Sequence, residues 1–264
     1  IGQEPRTYRD VLNSEYRNLW FEAMERELTG LQSANVFSLA ELPPGRKAVA
    51  AKWFFKWKTD EMGKVTRAKA RLVAKGFSQK PGIDYFETFA PTPASSTVRL
   101  LTAIANECDL EMIHLDAEQA FVQADIDAEV YVRLPLGCGA LTNTIVRLNR
   151  ALYGCKQSSR AWNIHLTSTL KSFGFDQSKG DPCLLRFLDG NETTLLIATH
   201  GDDMIAVGSR QDCDALCKTL SMGFPTNNLG PLSWYTGCAF ERDWEKGTLT
   251  ITQTAYIDQL CERF

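Results

Sequence analysis

The chain has 264 residues, 44% of them hydrophobic and 23% charged, a composition that excludes a disordered or collagen-like polypeptide and suits one large domain or two small ones. A net charge of −3 gives no reason by itself to expect a nucleic-acid partner, but the average conceals a split. Residues 46–80 hold eleven basic residues against Asp60 and Glu61, so this block carries +9 and the rest of the chain −12.

No window approaches the roughly 18 uninterrupted apolar residues of a membrane-spanning helix. The sequence starts at Ile1 and stops at Phe264 inside a helix-like run, so it reads as a piece of a longer polypeptide, and no signal peptide is visible. Eight cysteines without a CxxC pair, and only three histidines, argue against a zinc site. They fit reduced, buried thiols in an intracellular protein.

In chain order, Trp20, Met24, Leu28 and Leu31 recur at helical spacing, which predicts a helix over 8–34. Pro43-Pro44-Gly45 then breaks the chain. Residues 48–58 alternate, with Trp53, Phe55 and Trp57 on one face and Lys52, Phe54, Lys56 and Lys58 on the other. A turn is expected at 60–63. Residues 65–75 alternate again, setting Ala68, Ala70, Leu72 and Ala74 against Arg67, Lys69, Arg71 and Lys75. The expectation is a β-hairpin with an apolar underside and a basic upper face. A charge run is ordinarily a solvated face, but like charges sharing one face repel, which favours a compensating anion such as phosphate.

Residues 97–110 read as helix, 111–116 as a short strand, and a helix-like start follows Ala117. Residues 145–153 suit a strand and turn, and 161–173 a helix capped by Gly174. Two apolar β runs, 193–199 and 204–207, flank His200-Gly201-Asp202-Asp203. A helix over 211–220 and a late strand over 248–252 complete the reading.

Two adjacent carboxylates at the tip of an apolar hairpin repel each other, and partial dehydration raises that cost unless a cation neutralises them. Magnesium suits such oxygen ligands. Glycine and aspartate are also ordinary turn residues, and taken alone the plain turn is the simpler account. Asp116 shifts the balance, because it too ends an apolar β run, although by itself it would equally serve as a helix cap. Two acidic strand tips and a basic hairpin together are the equipment of phosphoryl or nucleotidyl transfer.

Seven blocks follow one another in a recognisable order: WFEAMEREL at 20–28, KWFFKWK at 52–58, KARLVAKGFSQ at 69–79, GIDYFETFAP at 82–91, HLDAEQAF at 114–121, ALYGCKQSSRAW at 151–162 and HGDDM at 200–204. On these blocks the chain resembles the reverse transcriptase domain of copia-type LTR retrotransposons over nearly its whole length. The resemblance implies an α+β right-hand polymerase fold, with fingers and a palm built on a ferredoxin-like β-α-β-β core and the thumb largely missing. It implies an N-terminal helical segment at 1–45, fingers with the basic hairpin at 46–95, a palm with an interleaved fingers segment at 96–240, and the start of the thumb at 241–264.

The resemblance also implies roles. Asp116, Asp202 and Asp203 match the catalytic, metal-binding aspartates, holding two Mg²⁺ ions for which Mn²⁺ can substitute. Lys69, Arg71 and Lys75 fall in the strand that contacts the triphosphate. Phe121 matches the bulky residue screening the sugar 2′ position, and Tyr153, Gly154 and Lys156 match a loop against nucleotide and template. For Phe121 a core role stands beside this one, and for Tyr153 and Trp162 a core role stands beside base stacking. The partners implied are an RNA template, a DNA primer, deoxynucleoside triphosphates and the integrase and ribonuclease H of the same polyprotein, with no membrane. The setting implied is a cytoplasmic, reducing one inside a virus-like particle.

The signature turn usually reads Tyr-x-Asp-Asp; here His200 and Gly201 precede the aspartates, and Ser159 stands where proline is usual. Glycine loosens backbone, so reduced positioning of the nucleotide is expected. The function implied is template-directed DNA synthesis. The rivals are an inactive relic that still binds nucleic acid, a palm-fold nucleotide cyclase, against which the basic hairpin argues, and a structural interaction domain.

Overall fold

The computed structural model describes residues 2–59 and 64–264, so the turn expected at 60–63 lies outside the described residues. The chain opens with helices α1 (Tyr8–Leu12) and α2 (Arg17–Ser33) and strand β1 (Phe37–Leu39). The long strands β2 (Val49–Thr59) and β3 (Val65–Ala74) follow, then α3 (Ser95–Glu107), β4 (Glu111–Ala117) and the single turn α4 (Ala120–Gln123). Next come β5 (Tyr131–Arg133), β6 (Ile145–Leu148) and α5 (Ser158–Ser172). Strands β7 (Phe175–Gln177), β8 (Leu184–Asp189), β9 (Glu192–His200) and β10 (Asp203–Gly208) lead into α6 (Arg210–Gly223). The chain closes with β11 (Thr226–Pro231), β12 (Trp234–Tyr235), β13 (Cys238–Asp243), β14 (Thr248–Thr252) and α7 (Thr254–Arg263). No helix among the described residues is long and apolar enough to cross a membrane.

The chain divides into two compact units, each assembled from separated stretches: residues 1–90 with 121–165, and residues 91–120 with 166–264. In the first, a five-stranded sheet runs in the order β1-β6-β5-β2-β3. Its hairpin alternates as the sequence predicts. Trp53 and Phe55 are buried and Phe54 is exposed, while Ala68, Ala70, Leu72 and Ala74 form the buried face of β3. Helix α2 covers that underside with Trp20, Ala23, Met24, Glu27 and Leu31. Trp20 lies 4.2 Å from Trp57 and 5.5 Å from Phe55 between ring centroids. Fully burying large apolar side chains contributes roughly 1.5–3 kcal/mol each, which makes this aromatic layer the main support of the hairpin.

In the second unit a six-stranded sheet runs β11-β4-β10-β9-β8-β7 and a three-stranded one β12-β13-β14. Strands β4, β9 and β10 pair antiparallel in the middle of the larger sheet. Met204 to Gly208 are all buried, which is why the run reads as apolar throughout rather than alternating. Helix α3 packs Val98, Leu101 and Ala105 into the same core as Ile205, Val207 and Tyr235.

Three expectations need adjustment. The helix expected over 8–34 is two helices. Asn13 caps the first, and Ser14 Oγ accepts the Tyr16 N–H, a local bond that competes with helical pairing. The helix expected to reach 110 stops at Glu107 because Asp109 takes φ +50 and Leu110 N–H folds back onto the Ala105 carbonyl. The alternation expected to reach Lys75 ends at Ala74. Lys75 lies one residue past β3, where its N–H bonds to the Ala50 carbonyl.

Candidate active site

The backbones of the three aspartates lie at one end of the central strands of the second unit. Asp203, first residue of β10, is the direct cross-strand partner of Asp116 on β4 and of His200 on β9. Facing residues in such a pair lie about 4.5–5.5 Å apart at Cα and point to the same face. Asp202 sits in the two-residue link between β9 and β10, and its carbonyl accepts the Ala117 N–H at 3.0 Å. Apolar sequence brings them there: Met112, Ile113, Leu115, Ala117 and Met204–Val207 are buried, and Asp116 and Asp203 are the half-buried carboxylates at that end of the paired strands.

The link is tight because of Gly201. Its φ is +63, while Asp202 is not among the residues with positive φ, the pattern of a two-residue hairpin turn of type II′, which takes glycine first. A Cβ on Gly201 would meet nothing within 4 Å. The glycine therefore serves the turn's backbone rather than a steric need.

The donor chemistry fits divalent cations: hard carboxylate oxygens, partly exposed, on adjacent strand ends. Among the described residues no three His, Cys, Asp or Glu side chains stand together in ligating geometry. The Asp203 carboxylate is instead engaged sideways, with Oδ1 3.1 Å from His114 Nε2. His114 shares its β4 face with Asp116 by the two-residue period. Its ring stands edge-on to Tyr235 at 6.0 Å, and His200 meets the same tyrosine at 6.2 Å. Tyr235 is fully buried and its hydroxyl has no hydrogen-bond partner among the described residues. Burial, then the Asp203 and Cys183 charges, push that hydroxyl's pKa up. His114 was part of a matching block without a role. The signal for it lay in its spacing, two residues before Asp116 on an alternating strand.

The remaining sequence-predicted residues belong to the first unit. Across the hairpin, Lys56 faces Lys69, Lys58 faces Arg67 and Phe54 faces Arg71. Like charges directly opposite one another destabilise a pair. Burial, followed by Arg71, Lys58 and Arg67, holds the Lys69 ammonium below the usual lysine range. On the other side of β3 the buried Glu27 carboxylate accepts the Leu72 N–H at 3.1 Å. Burial raises its pKa, against the pull of that N–H, Arg71 and Lys69.

The Tyr153-Gly154 loop docks on the end of β3, with Ala74 N–H donating to the Tyr153 carbonyl at 2.8 Å. A Cβ at Gly154 would stand 2.2 Å from the Ala74 oxygen, and one at Gly76 2.1 Å from the Gly154 oxygen, so both positions exclude a side chain. The Arg71 guanidinium lies 4.8 Å over the Tyr153 ring, and Phe121 packs 5.0 Å from that ring. Lys156 lies 5.6 Å over Tyr85, and its N–H bonds to Gln79 within a buried network with Gln157 and the Asp84 carbonyl. Trp162 is fully buried, which leaves it no face for a base. The aspartates, His200 and Gly201 thus form one group, and Lys69, Arg71, Lys75, Phe121, Tyr153, Gly154 and Lys156 lie in the other unit.

A family model described as reverse transcriptase (RNA-dependent DNA polymerase) matches residues 34–264. The retrovirus-related Pol polyprotein from transposon TNT 1-94 of Nicotiana tabacum is 36% identical over 99% of this chain. That from transposon RE1 of Arabidopsis thaliana is 32% identical over 98%. The transposon Ty1-H Gag-Pol polyprotein of Saccharomyces cerevisiae is 33% identical over 52%. The chain spans only 20%, 18% and 7% of the lengths of these relatives. With a family match over most of the sequence and plant relatives aligned along nearly all of it, the chain belongs to the reverse transcriptase family, as the reverse transcriptase domain of a copia-type retrotransposon Pol polyprotein.

Proposed function

We propose that the chain carries out template-directed DNA synthesis, on RNA and DNA templates, by two-metal nucleotidyl transfer during retrotransposon replication. The observation that carries this reading is the pairing of Asp116 with Asp203 across β4 and β10, beside the Gly201-Asp202 turn. Asp116 and Asp202 would hold Mg²⁺ ions, or Mn²⁺ in their place, with Asp203 as the weaker ligand. When bound, the ions supply a lowered pKa at the primer 3′-hydroxyl and charge neutralisation as pyrophosphate leaves. Lys69, Arg71 and Lys75 receive the triphosphate and the template backbone through charge-assisted hydrogen bonds. Arg71 is oriented by its stacking on Tyr153, and the docked Tyr153-Gly154 loop keeps Phe121 beside that ring.

We read the first unit as fingers and the second as palm. The strand order supports this: β4, β9, β10 and β11, taken as first to fourth, lie in the order fourth-first-third-second, with α5 and α6 at the two crossovers, as in a ferredoxin-like arrangement. An RNA template, a DNA primer and deoxynucleoside triphosphates follow as ligands, and the rest of the polyprotein as neighbour, in a cytoplasmic virus-like particle.

Primer extension on a homopolymer template tests the reading. Extension that requires Mg²⁺ or Mn²⁺ and disappears in Asp202→Asn is the expected result. Template binding without extension identifies an inactive relic and overturns the catalytic claim.

A further inference from the structure

We propose that His114 is a positioning residue for Asp203: its Nε2–H holds one carboxylate oxygen so that the other is presented, beside Asp116, to a divalent cation. The inference rests on the two-metal reading above and goes beyond it, because it assigns a role to a residue outside the aspartate set.

Asp203 is 41% exposed at its side chain, so burial alone does not select its rotamer. It also faces Asp116 directly across the strands, an arrangement of like charges that drives the two carboxylates apart. His114 is 16% exposed, and its Nε2 lies 3.1 Å from Asp203 Oδ1. An ionised carboxylate only accepts, so the ring nitrogen donates. That bond uses one oxygen and leaves the second available. The donor is itself fixed, since the His114 ring stands edge-on, at 88°, against the buried Tyr235. Tyr235 braces His200 in the same way, so one tyrosine from β12 steadies both strands that meet Asp203. A ligand oriented by a hydrogen bond before the ion arrives binds it more tightly than a ligand that must first be ordered.

The experiment is Mn²⁺ titration of the purified chain, read by electron paramagnetic resonance, with circular dichroism to check folding. His114→Phe keeps the ring and its packing on Tyr235 and removes both nitrogens. Mn²⁺ affinity is expected to fall roughly tenfold in His114→Phe. His114→Gln, whose amide still donates, is expected to stay within about twofold of the wild type. In an Asp203→Asn background His114→Phe should add no further loss, because the two residues act as one pair. Wild-type or tighter affinity in His114→Phe, an equal loss in His114→Gln, or a full additional loss in the Asp203→Asn background overturns the proposal. Should His114→Phe fail to fold, the wild-type protein decides: Mg²⁺ is expected to shift the ¹⁵N ring signals of His114 saturably, and to leave them unmoved in Asp203→Asn. No shift in the wild type overturns the proposal equally. Asp116→Asn separates the two levels. If it leaves Mn²⁺ binding unchanged, the two-metal reading fails; if it abolishes binding while His114→Phe does not weaken it, only the role of His114 fails.

Discussion

Gly201 is the residue at which the sequence is easiest to misread. Set against the usual signature turn, a glycine looks like lost buttressing and a looser backbone. Its φ of +63, in a two-residue link between paired strands, is a conformation that glycine adopts freely and other residues adopt at a cost of about 1–2 kcal/mol. Gly201→Ala is therefore expected to lower unfolding free energy by about that amount, measured by urea denaturation. Because an added Cβ meets nothing within 4 Å, the loss is one of backbone conformation and not of packing. An unchanged midpoint would show that the turn relaxes to negative φ. Asp202 and Asp203 were legible as a pair of repelling carboxylates. That one of them leans on His114, 89 positions earlier in the chain, was not, because contact across strands depends on register.

For the β2–β3 hairpin the alternation told nearly everything about faces. It identified the face of buried Trp53 and Phe55 and half-buried Trp57, and the cationic side opposite, since side chains on a strand must alternate. It did not tell which cations oppose each other. The register sets Lys56 against Lys69 and Lys58 against Arg67, with Lys56 drawn off by Glu4 at 3.2 Å. A hairpin built this way is expected to gain from an anion. Lys69→Gln should hold or raise stability in the absence of nucleic acid. It should also weaken template–primer binding and reduce the slope of log affinity against log salt by roughly 0.7–0.9. An unchanged slope in a binding titration would remove Lys69 from the phosphate-contacting set. The three-residue strands β1, β5 and β7 were invisible in the sequence. Runs that short show no period, and each exists only because a neighbouring strand supplies its hydrogen bonds.

Across the molecule the burial expected of the eight cysteines holds only in part: Cys138, Cys155, Cys183 and Cys213 are buried, and Cys217 and Cys238 are half-buried. Burial pushes Cys138, Cys155 and Cys213 up to about 12 and Cys183 up to about 11, while Cys108 and Cys261 are exposed. Only thiolate reacts readily with a disulfide reagent, so Cys108 and Cys261 should label within minutes at pH 8. The four buried thiols should label only on unfolding. Early labelling of Cys155 or Cys213 in the native protein, read by peptide mass spectrometry, would contradict their burial in either unit. Reductant should leave the melting temperature unchanged.

The order of the motifs, the faces of the long strands and the acidic strand tips were written in the sequence, because they depend on local periodicity and on where apolar runs stop. The parallel pairing of β2 with β5, the opposition of Asp116 and Asp203 and the bracing of His114 and His200 by Tyr235 were decided only in three dimensions. Those features join residues far apart in the chain, and no local pattern records which distant strand will satisfy a given row of backbone hydrogen bonds.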